Sequence, residues 1–515
     1  MTVENRSYVS NYYQTYIWQG LSILFNLISM FIVIPFISEE KTIFGIYSVC
    51  ISTSIFLNYA DIGFVSAAIK YAGESYARGE REDELRYYGL AGFILFILIT
   101  VIALVYVLLA MKPSLLINGI ENSEYLHVAT SLLIVQAIFS YNNVLQRFVT
   151  SVFQVRIEQY IHQRVNILAN IIKIVSVFYF FTSDHYDIVG YFIFIKLVEL
   201  LALIVSIIII RMKYHIFFTS YLKVFRYNKE IYFKTKTLAY SSLFVTVMWI
   251  VFYEMDVIVI GHYYGANLVA IYALAFTLIK FLRSITSVLY SPFKSRYNHF
   301  IGLGEPDKLR DLLKKVIMLT MPIIVLTVLS VVILSKPIVT TWAGSDYQSS
   351  GFIFAFLASS YLFSFIRIPG ANLLVALEKV KDMYFINGLM VILFWGGVIA
   401  TSEYYGIRSF AIFKLVAGVF AAAYYFNVLT KYLNYGILEF LNDTVVRMVI
   451  PITVQITFLF GVFNFIPAEN SVVNFLVVIT TGGIATLFGL ITLYFTSRYY
   501  RETTNRYFHK ILVTE

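Results

Sequence analysis

From residue 14 to residue 496 the sequence is a succession of apolar runs, each long enough to cross a bilayer. A span needs about 20 mostly apolar residues. Such runs fall at 14–37, 43–70, 87–111, 127–150, 160–182, 187–211, 237–261, 268–293, 315–335, 351–376, 382–401, 408–430, 445–466 and 472–496. They are continuously apolar and do not alternate, which favours helices over a barrel; lipid offers no partner to an unpaired backbone group and tolerates little else. The expected fold class is an all-α integral membrane protein of about 14 transmembrane helices. Composition agrees, with 59% apolar and 13% charged residues, where a soluble domain carries about a quarter charged. The first run is too long for a signal-peptide core and is expected to remain as a helix. The single cysteine, Cys50, excludes an internal disulfide and any multi-cysteine metal site.

The net charge of +9 does not point to nucleic acid, because of where the charge lies. Lys and Arg mark cytoplasmic loops. With the N-terminus inside, the predicted inner stretches hold most basic residues, among them Arg78, Arg81 and Arg86, the series from Arg211 to Lys236, and the series from Lys308 to Lys315. The outer stretches hold only Lys41, Lys112, Lys336 and Arg408. Both termini are thus expected in the cytoplasm. The basic stretch at 211–236 mixes aromatics with cations, as an interfacial helix would, but an ordinary linker drawn to anionic lipid accounts for the same charge.

An ungapped internal repeat is visible at an offset of 225 (271 − 46). Ile46-Tyr47 matches Ile271-Tyr272, Phe56-Leu57 matches Phe281-Leu282, Ser66 matches Ser291, and Gly79-Glu80 matches Gly304-Glu305. An even number of helices separates the copies, so the halves are expected to run parallel and to face a central cavity, where transporters commonly bind substrate. The expected organisation is an N-terminal six-helix lobe at 1–211, a basic cytoplasmic linker at 212–236, a C-terminal six-helix lobe at 237–430, and two further helices with a cytoplasmic tail at 431–515.

Six basic residues fall inside the runs: Lys173, Lys196, Lys280, Arg283, Arg367 and Lys414. A charge near the bilayer centre costs at least about 2.5–3.5 kcal/mol, so such residues usually face a water-filled cavity. Lys280 and Arg283, three residues apart, share a helix face. With Arg367 and Lys173 they sit too deep to snorkel easily, and they are candidate substrate ligands. Lys196 is a further candidate, although Glu199 one turn away offers it a partner. Lys414 reads as snorkelling from near its helix end. Asp61, Glu254 and Asp256 are candidate ion-coupling sites or, for the latter two, candidate counter-charges to Lys280 and Arg283. For Asp61, next to Gly63, a helix bend is the simpler reading. The slight excess of buried cations favours an anionic cargo. The 41 tyrosines and 46 phenylalanines supply rings on which sugars stack, but interfacial aromatic belts explain most of them.

Enzyme motifs are missing. No two histidines have metal-ligand spacing, no Gly-x-x-x-x-Gly-Lys loop is present, and the outer loops are short for a sugar polymerase. No cofactor is expected.

The stretch Leu57-Asn-Tyr-Ala-Asp-Ile-Gly-Phe, continuing through Ile69-Lys-Tyr-Ala-Gly-Glu to Arg78-Gly-Glu, resembles the helix-two signature of polysaccharide flippases. Tyr253-Glu-Met-Asp-Val-Ile-Val-Ile-Gly, followed by Ala270-Ile-Tyr-Ala, is similar to the same family in the second half, as is Trp342-Ala-Gly-Ser-Asp-Tyr in an outer loop. The resemblance spans roughly residues 10–500 and reaches the multidrug/oligosaccharidyl-lipid/polysaccharide transporter superfamily. It implies two six-helix bundles about a central cavity, with two extra C-terminal helices. It also implies outward flipping of an undecaprenyl-pyrophosphate-linked repeat unit for O-antigen, lipopolysaccharide or capsule, by alternating access in the cytoplasmic membrane. The partners implied are the lipid-linked oligosaccharide, membrane lipid, a polysaccharide polymerase and a chain-length regulator. Two other readings stay open: a cation-coupled drug exporter of the same superfamily, and a membrane glycosyltransferase or acyltransferase.

Overall fold

Segments that meet lipid must close their hydrogen bonds internally, and the chain does so almost entirely with helices. The structure is a computed structural model, described for residues 3–182, 185–466 and 469–502. Two compact units divide it at residues 270 and 271. The first contains α1 (Val3–Ile37), α2 (Lys41–Asn58), α3 (Phe64–Ala77), α4 (Arg81–Met111), α5 (Ser123–Phe139), α6 (Asn142–Val155), α7 (Gln159–Phe180), α8 (Ile188–Tyr214), α9 (Phe218–Val224), α10 (Lys229–Tyr253) and α11 (Met255–Tyr264). A two-residue hairpin, β1 (Phe181–Thr182) with β2 (His185–Tyr186), links α7 to α8. The second unit runs from within α12 (Ala266–Gly302) through α13 (Pro306–Ile333), α14 (Ser335–Ala343), α15 (Gln348–Ser359), α16 (Ser364–Ala376), α17 (Val380–Tyr405), α18 (Arg408–Leu433), α19 (Ile437–Leu441), α20 (Arg447–Phe463) and α21 (Val472–Thr496).

Each of the fourteen apolar runs meets a helix or a broken helix pair. Ten described helices are long and apolar enough to cross a membrane, or up to twelve when each of two bent pairs counts as one span. The bent pairs are α5 with α6, at 43°, and the end of α10 with α11, at 44°. The two runs outside this count are physically distinct: α2 and α3 are separated by a turn, and α7 is diluted by Asn166, Asn170 and Lys173. The protein is a multi-pass membrane protein.

The expected single helix at 43–70 breaks at 59–63, where Ile62 and Gly63 take left-handed backbone angles of 49° and 80°. Asp61 sits in this turn. Its Oδ2 accepts the N–H of Val65 at 3.2 Å, satisfying a donor in the first turn of α3 that no earlier carbonyl can reach. A carboxylate also complements the positive end of that helix.

The basic stretch at 211–236 holds a short helix, α9, packed on α4. Tyr221 is 1% exposed, and two glycines make its approach possible. A Cβ on Gly92 would lie 2.0 Å from the Tyr221 hydroxyl, and one on Gly89 would lie 2.3 Å from the Val224 carbonyl oxygen. In the second unit, α20 and α21 are tied to α13 by polar contacts in an otherwise apolar interface. Gln455 Nε2 donates to Leu326 O and to Ser330 Oγ, each at 2.7 Å, and Ser330 Oγ donates to Gly482 O at 3.1 Å. The Gln455 amide nitrogen is thereby paired at a depth where an unpaired donor is costly.

Candidate substrate-binding site

In the first unit, α1, α2, α5, α6, α7 and α8 surround a cavity of about 340 Å³ at the depth of the apolar runs. Its wall is polar, and the side chains arrive by helical periodicity. His162, Asn166, Asn170 and Lys173 lie on one face of α7; Lys196, Glu199 and Leu203 do the same on α8; Ser22 and Asn26 come from α1. Spacings of three and four residues place side chains on one helix stripe. The bend after α5 brings Ser140, Asn142, Asn143 and Gln146 to the rim, and Ser54 and Asn58 come from the end of α2. Asn170 Nδ2 donates to Asn26 Oδ1 at 2.8 Å, and His162 Nδ1 lies 3.0 Å from Ser206 Oγ. Arg147 donates to the carbonyl of Asn58, one of the orphan acceptors left where α2 stops.

Lys173 and Lys196 meet here on one carboxylate. Lys173 Nζ is 2.9 Å from Glu199 Oε1, and Lys196 Nζ is 3.1 Å from Glu199 Oε2. The partner foreseen for Lys196 is therefore present and is shared with a second helix. Three ionised groups in one cavity leave a net charge of +1. Lys196 also lies 5.4 Å from the ring centroid of Phe192.

The second unit gathers cations around an aromatic ring. Phe276, 3% exposed, has Lys280 Nζ at 4.8 Å, Lys414 Nζ at 4.8 Å and the Arg283 guanidinium carbon at 5.8 Å from its centroid. Lys414 also lies 5.4 Å from the Phe394 ring. Aromatic faces attract cations by about 2 kcal/mol or more when water is excluded. Lys414 is only 5% exposed, so it does not snorkel as its position near the helix end suggested. Arg367 lies against α18 one turn further on, where the missing Cβ of Gly418 would be 3.2 Å from its Nη1. Lys280, Arg283 and Arg367 thus belong to one neighbourhood, to which Lys414 must be added.

Glu254 occupies the break between α10 and α11 and is 5% exposed, while Asp256, fully buried, stands in the first turn of α11. A carboxylate is favoured at a helix N-terminus by the backbone dipoles. Asp61 is engaged with its helix turn, as described above.

Sequence reasoning missed two elements. The amides of the first cavity were legible as Asn166 and Asn170, which stand at helical spacing with Lys173 within an apolar run. Phe276 carried no such signal, since one phenylalanine among 46 is not distinguished until its neighbours are known.

Residues 241–395 match the MatE family. The fold is similar to the inward closed conformation of the lipid II flippase MurJ, with a TM-score of 0.67, 16% identity, and coverage of 93% of this chain and 98% of that one. The chain has the fold of the MOP-superfamily transporters. This is the fold that the resemblance in the sequence implied. An inward-facing multidrug resistance MATE transporter of the MOP superfamily matches at a TM-score of 0.59 and 12% identity, over 80% of this chain and 94% of that one. A MOP superfamily transporter from Pyrococcus furiosus, described as having a binding pocket of reversed polarity, matches at 0.55 and 12% identity, over 83% and 95%. No curated protein matches the sequence. Proteins solved with this fold thus include both a lipid II flippase and multidrug transporters.

Proposed function

We propose that the protein is a flippase that carries a lipid-linked oligosaccharide, joined through a pyrophosphate to a polyprenol such as undecaprenol, from the cytoplasmic to the outer leaflet. The observation that carries this reading is the convergence of Lys280, Arg283 and Lys414 on Phe276, with Arg367 of α16 nearby against Gly418 of α18. Cations at this depth suit a polyanionic head group, which they bind by charge-assisted hydrogen bonds. The ring of Phe276 contributes to holding Lys280, Arg283 and Lys414 together. An inside-negative membrane potential favours outward movement of negative charge by about 2.3 kcal/mol per charge per 100 mV. The head group enters from the cytoplasm, the tail stays in lipid, and the site is exposed to each side in turn. The product feeds synthesis of O-antigen, capsule or another surface polysaccharide, with a polymerase and a chain-length regulator as downstream partners. The protein resides in the cytoplasmic membrane of a prokaryote with both termini inside.

Replacing Arg283 with Ala or Glu in a strain relying on this copy should sharply reduce surface polysaccharide while the protein remains in the membrane. Unchanged polysaccharide at normal protein levels refutes the assignment. A second reading, cation-coupled export of an organic cation, draws on the buried carboxylates Glu254 and Asp256 and on the MATE likeness. Efflux of an organic cation that is lost in Asp256→Asn and kept in Arg283→Ala would favour it.

A further inference from the structure

The cavity of the first unit contains, besides its ion cluster, an unmet acceptor and an unmet donor. Gln136 is 2% exposed and lines the cavity; its Nε2 donates to Ser54 Oγ, while its Oε1 has no hydrogen-bond partner among the described residues. Asn142 Nδ2, on the same wall, has none either. A buried polar atom left unpaired costs about 1–3 kcal/mol, so a ligand that supplies both a donor and an acceptor gains by pairing with these groups. A hydroxyl does both. Phosphate, rich in acceptors, gives little to the oxygen of Gln136.

The charge narrows the ligand further. Lys173 and Lys196 share the two oxygens of Glu199, one each, and one positive charge is left over. A neutral polyol would leave it uncompensated, and a pyrophosphate would overshoot it. A ligand with several hydroxyls and one negative charge matches both counts.

We infer that this cavity is a subsite for one acidic sugar residue of the cargo, a hexuronic acid or similar carboxylate-bearing monosaccharide. Its carboxylate displaces one lysine from Glu199, and its hydroxyls pair with Gln136, Asn142 and the amides around them. The volume of about 340 Å³ lies at the small end of ligand pockets, with room for a sugar ring and its substituents but not for a longer chain. This inference rests on the reading of the protein as a glycan carrier and assigns part of the specificity to the first unit, apart from the cations around Phe276.

The test uses the full chain in lipid nanodiscs and NMR saturation-transfer titrations with glucuronate and galacturonate, their uncharged methyl esters, glucose, and inorganic phosphate. The free acids should bind about tenfold more tightly than the esters, the worth of one charge-assisted hydrogen bond. Glucose should resemble the esters, and phosphate should not compete. Lys173→Gln or Lys196→Gln should bring the acids down to the level of the esters. Glu199→Gln should tighten the acids, because both lysines then lack their carboxylate. The acid–ester comparison needs no variant and stands even where a substitution impairs folding. Equal binding of acid and ester overturns the acidic preference and leaves the glycan-carrier reading intact. No binding of any sugar overturns the subsite, and the Arg283 experiment then judges the carrier reading by itself. Phosphate competing more strongly than the acids also overturns the proposal, since the lysines would then serve a phosphate.

Discussion

At one end of the first unit four helix ends are joined by a buried ion pair, and breaking it should be costly. Arg156, just beyond α6, reaches Glu84 in the first turn of α4 with Nη1 to Oε1 at 2.7 Å and Nη2 to Oε2 at 3.1 Å. The side chains are 5% and 1% exposed. The Tyr88 hydroxyl donates to Glu84 Oε1 at 3.1 Å, and the guanidinium lies 4.6 Å from the Tyr76 ring near the end of α3 and 4.8 Å from the Tyr214 ring at the end of α8. Burial pulls the guanidinium's pKa down, but its bond to Glu84 more than offsets this and the net direction is upward, so Arg156 stays charged at any usable pH. Arg156→Met leaves the Glu84 carboxylate buried without a counter-charge, and loss of one partner of such a pair costs about 3–5 kcal/mol. For a unit of this size about 1 kcal/mol moves the unfolding midpoint by roughly 2 °C, so the expected fall is about 6–10 °C. Cys50 provides the assay. It is the protein's one cysteine, lies in the same unit on α2, and is 1% exposed, so a thiol-reactive dye reports its release on heating. The double variant Glu84→Gln with Arg156→Met removes both charges and should lose less than either single variant. Single variants within 2 °C of the parent, or a double variant that falls by the sum of the two, would refute the claim that the ions depend on one another.

Two further outcomes follow from close contacts. A Cβ on Gly45 would sit 1.9 Å from the carbonyl oxygen of Ala266, backbone that cannot move aside cheaply; Gly45→Val should therefore abolish folded protein, measured as monodisperse material after detergent extraction, whereas Gly73→Val, where nothing lies within 4 Å, should not. Asp61, as a cap on α3, should be replaceable by Asn, which accepts the same hydrogen bond, while Asp61→Ala should cost about 1 kcal/mol, or roughly 2 °C by the dye assay. Loss of transport in Asp61→Asn without loss of stability would instead make the carboxylate an ion-coupling group.

The parts of this molecule that the sequence revealed are those set by one dimension. Run length and the sidedness of Lys and Arg locate the helices because lipid thickness and membrane topology act on consecutive residues. The broken helix at 59–63 was half legible, since Asp61 and Gly63 announced a bend, yet only the fold shows that the carboxylate caps α3. Lys414 shows where such reading ends. It stands six residues into α18, about 9 Å from its start at 1.5 Å per residue, a distance that a lysine stem can snorkel. Depth, however, does not determine direction. What turned Lys414 inward is the pair of rings Phe276 and Phe394, from two other helices, and no spacing within α18 encodes them. The lysines of the first unit carry the same lesson from the opposite side. Lys196 and Glu199 are a local pair at helical spacing, but Lys173 joins them from α7. That arrival turns a self-neutralised pair into a cluster with one charge to spare, so the feature that would select a cargo was created by packing, out of residues whose separate readings did not contain it.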